Sequence, residues 1–483
     1  MVSRREFLRY AGIGTAGAIL AACAPKIQEV LVKETVETER VVEKEVPVVQ
    51  TVETERLVER EVVRIAGQPY WSPPDLSGRE LSIWGLNYDP HIEAYHRLAK
   101  LFSTYTGCTY IVEPVEWPIE DNIVTGMAAG MVPDVVCIMG QRIGPLTVQN
   151  ALIALDDVYA QTGCDVDTWF GPVAIQAYQY GGNTWGVPTE GNNVSGISNA
   201  RFDKLEEAGA SDLWPSLDGR DGFKDFDEMW ALAAAMQEAG VVANGLSSEG
   251  WYTPQLLGVM RTLGQYWWEP NTRTFHLDSE AGLEAMYLLN FHTIYNLEIE
   301  SHLGESSTES MMAGKVGICN GNVAMPGTGQ TLEPPIDIDS VAFPSAISGR
   351  EALYVGEGGW GFCVPSQAAN VDVGVEFMKF LMTYEGQKTY SYIYGGLMSS
   401  CLAVNSDPDL FAPGIVGDAM KRASKVQERT VYYGTGYGAA GEMVGIINTV
   451  CEAVRISDMT PEEAVVEAQV GLEEMLARFD AGV

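Results

Sequence analysis

The chain has 483 residues, 46% hydrophobic and 20% charged, which allows two or three domains at roughly 150 residues each and excludes wholesale disorder. Its 30 basic and 65 acidic residues give a net charge of −35, a field that repels phosphate backbones and anionic headgroups and argues against a nucleic-acid partner. The same charge serves solubility or a saline exterior, so it is given no part in ligand choice.

Ser3-Arg4-Arg5-Glu6-Phe7-Leu8-Arg9 is a basic start, followed by an uncharged run from Tyr10 to Ala22. That run is shorter than the roughly 20 residues of a membrane-spanning helix and fits the apolar part of an export signal. The Arg pair before Phe-Leu resembles a twin-arginine signal, and Leu20-Ala21-Ala22-Cys23 resembles a bacterial lipobox. The expectation is a signal over residues 1–22, lipidation at Cys23, and residence on the extracytoplasmic face of the cytoplasmic membrane with the acyl chains as anchor.

Residues 23–66 read as a Val/Glu-rich tether. Thr35 to Val46 recurs as Thr51 to Val62, differing only at Val41/Leu57 and Lys44/Arg60. The valines keep neither a heptad nor strict alternation, and Pro47 interrupts a helix, so a charged, self-repelling spacer fits better than a coiled coil.

The globular part, residues 67–483, opens with the strand Leu81-Ser82-Ile83-Trp84-Gly85. Asp89-Pro90 reads as an N-cap with Pro at the first helical position. Ile92, Tyr95, Leu98, Leu101 and Phe102 recur at helical spacing up to Gly107. Thr109 to Val115 is a second strand, a helix through Val124 and Met127 ends at Gly130, and Pro133 to Met139 is a third strand, apolar on both faces as a parallel sheet requires. The order is βαβαβ, hence an α/β fold. Eight cysteines leave seven after Cys23, none with zinc spacing. No metal site and no cofactor is expected. Cys137, Cys319 and Cys363 lie in strand-like runs as buried thiols, while export permits disulfides without fixing their pairing.

Met127-Ala128-Ala129-Gly130-Met131-Val132-Pro133-Asp134-Val135-Val136 resembles the helix, Ala-Gly, Pro-Asp, strand signature of extracellular solute-binding proteins of ABC importers, in their sugar-binding branch. Trp185 to Pro188, Phe202 to Gly209, Met311 to Ile318, Glu376 to Leu381 with Glu385-Gly386-Gln387, and Thr460 to Ala464 resemble later landmarks in the same order. The last also reads, on its own chemistry, as a capping box. The resemblance implies a periplasmic-binding-protein-like fold of two α/β lobes joined by a multi-strand hinge. We place lobe one at about 78–188 and 361–400 and lobe two at about 189–355 and 401–483. The crossings fall near Thr189-Glu190, Gly356 to Gly359, and Leu397 to Ser400. It also implies a monomer that binds a small solute, carbohydrate by preference, hands it to permease subunits, and performs no chemistry.

Ligands of open parallel sheets lie beyond the carboxyl ends of the strands. Candidates there are Asn87, Tyr88 and Asp89, then Glu116 and Trp117, then Gln141 and Arg142. Asp89 serves equally as a helix cap. The crossings add Glu190, Asn192, Asn193 and Glu357. The second lobe adds Trp251, Tyr252, Asn320, Asn322, Trp360, Tyr433, Tyr437 and Glu442. Flat aromatics beside carboxylates and amides suit sugars. Met139 and Asn320-Gly321-Asn322-Val323 stand where oligosaccharide binders of the family often carry a ring, which leaves the solute open.

Gly436-Tyr437-Gly438-Ala439-Ala440-Gly441 matches G-x-G-x-x-G, but a helix rather than a strand follows, against a dinucleotide site. The five histidines are scattered, and His91 and His96 do not share a helix face, so they read as solvated or packing. An exported glycoside-processing enzyme and a tethered surface module remain as alternatives. Product formation would mark the first, and absence of any small ligand the second.

Overall fold

Apolar runs bounded by glycine set the first elements. The computed structural model describes residues 68–483 except 192–195, 249, 251, 303–306, 392–397, 408–409, 411–413, 435–436 and 482–483. The leader, Cys23, the repeat, Asn192, Asn193, Trp251 and Leu397 lie outside the described residues.

In chain order the strands are β1 (Glu80–Leu86), β2 (Thr109–Val115), β3 (Val135–Met139), β4 (Gly186–Pro188), β5 (Ile197–Arg201), β6 (Asn244–Ser247), β7 (Val316–Asn320), β8 (Ile338–Ala342), β9 (Tyr354–Gly356), β10 (Trp360–Cys363) and β11 (Thr430–Tyr432), two-residue ribbons aside. The helices used below are α1 (Asp89–Thr106), α2 (Ile119–Ala129), α3 (Val371–Met382), α4 (Tyr384–Ser391), α5 (Ala440–Arg455) and α6 (Pro461–Asp480).

The first sheet runs β2-β1-β3-β10-β4. β1 is parallel to β2 and β3, whereas β10 runs antiparallel between β3 and β4. Gly107 and Gly130 stop α1 and α2 with φ of 74° and 67°, a region glycine enters without a Cβ penalty. Tyr88, with extended backbone, holds the cap position of α1. Asp89 lies in the first turn without a capping hydrogen bond, which corrects its reading as N-cap. The Pro-Asp pair before β3 has a structural task. The buried Asp134 carboxylate accepts from the Ser82 backbone N–H and hydroxyl, both at 2.9 Å, and from the Asn370 N–H at 2.8 Å. It therefore ties β1 to the start of α3.

The second sheet runs β8-β5-β7-β6, with β5 antiparallel to both neighbours and β7 parallel to β6. β9 and β11 form a separate parallel ribbon. α6 follows α5 directly, and Thr460 and Glu463 complete both halves of the capping box. Cys108, Cys137, Cys319, Cys363, Cys401 and Cys451 are buried free thiols and Cys164 is a half-buried one. Burial pushes the thiols of Cys319, Cys401 and Cys451 up to about 12, which makes them packing groups rather than nucleophiles.

The chain passes between the sheets beside Trp360. Thr189 and Glu190 donate backbone N–H groups to the Trp360 carbonyl at 2.9 and 3.2 Å. Gly191 N–H reaches Met398 O at 3.0 Å, Ser400 N–H reaches Thr189 O at 3.2 Å, and Glu190 bridges Ser399 antiparallel. Gly358 and Gly359 turn the middle segment with φ of 87° and 69°. A Cβ on Gly358 would sit 2.0 Å from that of Ala177. Gly358→Ala is therefore expected to cost about 2–3 kcal/mol. Urea denaturation measures this, and an unchanged midpoint would show that the turn relaxes freely.

Candidate functional site

Trp360 begins β10 opposite Met139, so it belongs to the first sheet rather than to the second lobe, where the sequence reading put it. Gly358-Gly359 complete the turn just before it. Its half-buried ring stands edge-on to Trp117, which follows β2, with centroids 6.3 Å apart. Trp117 is 44% exposed, and the Arg142 guanidinium, from the segment after β3, lies over its ring at 4.9 Å. Arg142 also pairs with Glu120 of α2 at 2.9 Å. Side chains from the ends of three strands thus form one aromatic and charged wall.

Polar capacity along this wall is left over. Gln141 is buried and its Oε1 has no hydrogen-bond partner; the same holds for Arg142 Nε and Glu120 Oε2. Buried polar atoms normally find partners, so the arrangement is prepared for a polar guest or for water.

Behind Trp360 lies a second cluster. The His91 ring meets the Trp360 ring edge-on at 5.1 Å and the Tyr88 ring at 5.7 Å. His91 Nε2 is 3.6 Å from Glu190 Oε1, to which the Tyr390 hydroxyl donates at 3.0 Å. Burial raises the Glu190 carboxyl to about 7, the Glu357 charge adds to this, and hydrogen bonds from Tyr390 and the Trp360 N–H act against it. Burial lowers the His91 imidazole to about 4.

The other candidates separate. Asn87 donates to Glu116 at 2.6 Å, and with Asp89 both are exposed beyond the strand ends. Glu357 is buried in the second crossing. Tyr252, at the start of the helix Tyr252–Leu263, is buried under the Arg455 guanidinium, 5.0 Å from its ring. Asn320, at the end of β7, is buried against Ser198 and Ser248, bonded at 2.8 and 3.3 Å. Asn322 donates to Thr308 at 2.8 Å. Glu442 is half-exposed and bonds Arg478. Tyr433 and Tyr437 are placed differently from their reading as cleft residues. Both are 1% exposed, and Tyr437 packs on Trp268 and Phe275 while its hydroxyl bonds the Tyr433 carbonyl. Their apolar rings are worth more in the core than at a wet surface.

His91, Tyr390 and Glu120 were missed as site residues. For His91 the only local signal was a polar aromatic on an apolar helix face, and Tyr390 lies on a short helix whose buried side is Gly386, Gln387 and Ser391. Glu120 reads in sequence as a first-turn acid of α2.

The start of α5 approaches the wall closely. A Cβ on Gly441 would be 2.9 Å from Arg142 Cδ, and one on Gly144 would be 1.7 Å from Gly438 O. Two sheets, three crossings and a wall of strand-end side chains beside them define the two-lobed periplasmic-binding-protein fold. The model of the family described as bacterial extracellular solute-binding protein matches residues 97–412, and the chain belongs to that family.

Solved structures share this fold at low identity. A cyclo/maltodextrin-binding protein complexed with maltotetraose is 16% identical, with a TM-score of 0.62, covering 82% of this chain and 97% of that one. An ABC substrate-binding protein from Listeria monocytogenes in complex with cycloalternan is 14% identical, with a TM-score of 0.68 and coverage of 83% and 99%. The maltose-bound T. maritima MalE3 is 17% identical, with a TM-score of 0.65 and coverage of 82% and 100%. No curated protein matches the sequence.

Proposed function

We propose that this extracellular solute-binding protein takes a carbohydrate into the cleft beside Trp360 and delivers it to the permease of an ABC importer, held to the membrane by a lipidated Cys23 after twin-arginine export. The observation that carries the reading is the Trp360–Trp117 wall with Arg142, beside which Arg142, Glu120 and Gln141 each keep one buried polar atom without a partner. Sugars present apolar C–H faces to rings and hydroxyls to fixed polar groups, which is what this wall offers. The structural neighbours that hold maltotetraose, cycloalternan and maltose support the class of solute. The lobes, at about 78–188 with 361–400 and 189–355 with 401–483, are the moving bodies. Solute favours the closed state by its differential affinity, and no bond is made or broken.

Titration calorimetry of the full chain against mono- and oligosaccharides, polyols and amino acids, with product analysis, tests this. Binding of one sugar class with the sugar recovered intact is the expected result. Released product would instead favour a glycoside-processing enzyme, and silence across the panel a surface module. Trp360→Ala is expected to weaken sugar binding roughly 30-fold, as loss of a central aromatic anchor does.

A further inference from the structure

Glu190 joins three segments far apart in sequence. It lies in the first crossing. Its carboxyl accepts from Tyr390 of α4, which leads to the third crossing, and its backbone N–H donates to the carbonyl of Trp360, just beyond the second. His91 of α1 stands 3.6 Å from the same carboxyl while pressing its ring edge on Trp360. Glu190 is 7% exposed and His91 4%, so water cannot stabilise a charge on either.

We propose that Glu190 and His91 hold a single proton between them, and that solute binding in the cleft is coupled to keeping it. The proposal rests on the reading of the chain as a solute-binding protein with its cleft at Trp360, and it adds regulation of that site. With the proton present, the pair is neutral and the first crossing stays packed behind the tryptophan. Without it, a carboxylate is stranded among Tyr95 of α1, Cys137 of β3, Tyr178, Tyr390 and the like-charged Glu357, with no cation among those groups. The packed arrangement already keeps water from Glu190, and an opening of the crossings that admits water lowers the cost of the ionised form, so the closed, solute-bound state binds the proton more tightly than the open one. By linkage, affinity rises as pH falls through the range in which Glu190 protonates.

The sign for stability follows from the same two groups. Glu190, raised to about 7 from an ordinary 4.5, contributes stability that is full below 4.5 and lost as pH rises through about 7. His91, lowered to about 4 from 6.5, contributes stability present above 6.5 and lost as pH falls toward 4. Between about 4.5 and 6.5 folded and unfolded chains each carry one proton on this pair, and its contribution is level.

Difference infrared spectroscopy of the full chain without solute tests the proton. A carboxylic-acid band that disappears with a midpoint near 7, and is missing in Glu190→Gln, is expected, and its absence from the native chain overturns the proposal. Tyr390→Phe removes a bond that favours the ionised form, so the midpoint should move to higher pH; this arm stands even where Glu190→Gln does not fold. Calorimetry with maltotetraose, or the panel sugar that binds, tests the coupling. Affinity is expected to be about tenfold tighter at pH 6 than at pH 8 in the native chain. Glu190→Gln should show no such slope. Equal native affinities at the two pH values, with the acid band present, would overturn the coupling while leaving carbohydrate binding intact. If nothing in the panel binds, the functional reading fails, and the infrared result still decides whether the proton is shared.

Discussion

Gly144→Ala should weaken solute binding about 100-fold with little loss of fold stability. Gly144 is the second residue of the short helix Ile143–Val148, beyond the end of β3, and its backbone suits alanine as well as glycine. What forbids a side chain is the backbone of another segment: the added Cβ would lie 1.7 Å from Gly438 O and 3.1 Å from Gly438 Cα. Gly438 precedes α5, which packs on α6 and on the helix Tyr252–Leu263, and on the lobe boundaries proposed above the contact lies between the two lobes. A methyl group there acts as a wedge. Overpacking of this kind costs about 3 kcal/mol, and a cost borne by the closed state alone appears as a hundredfold loss of affinity. Calorimetry with the sugar that binds the native chain, together with the radius of gyration from solution scattering, checks it. The variant should keep its unfolding midpoint and stay open in saturating sugar. A lowered midpoint with unchanged affinity would mean that Gly144 and Gly438 meet in every state of the molecule.

The first sheet was readable in the sequence because its signals are local. Gly107 and Gly130 sit where the backbone turns left-handed, and β2 spans Thr109–Val115 as its apolar run predicts. The strand-end rule also picked out Trp117 and Arg142, which stand on one wall. What it could not supply is contact between segments one or two hundred residues apart. His91, Glu190 and Tyr390 meet only because the crossings run side by side, and nothing near His91 in sequence marks it as other than a packing residue. Tyr433 and Tyr437 show the opposite error. In a glycine-rich loop they look like ligand platforms, yet both are buried, Tyr437 packed on Trp268 and Phe275 and Tyr433 stacked on Tyr432. Tyrosine suits both settings, so composition alone does not separate them. Trp360 was given to the second lobe, yet it begins β10 in the first sheet, because the register of β10 against β3 depends on the fold and not on the local sequence.

The largest effect on stability is expected at the far end of α5, from Arg455→Met. Arg455 and Glu300 have side chains only 2% exposed and pair at 3.0 Å. The guanidinium also donates to Ser301 O at 2.8 Å and His302 O at 3.2 Å, while the carboxylate accepts from the Ser248 N–H at 2.7 Å and the Thr293 hydroxyl at 2.9 Å. As the last residue of α5, Arg455 places its charge at the negative end of the helix dipole. Methionine fills much of the volume but leaves Glu300 buried without its cation, a change that costs about 3–5 kcal/mol. Adding Glu300→Leu removes the stranded charge as well, and the double variant should recover most of the loss, because a buried pair replaced by apolar groups is close to neutral in stability. Chemical denaturation of the native chain, both single variants and the double variant measures the cycle. Additive losses would show that the two charges do not depend on each other. The pair also bears on the cleft, since the other end of α5 carries Gly441 against Arg142. A chain stable enough to bind sugar with α5 loosened at its base should bind it more weakly, so the double variant should recover affinity together with stability.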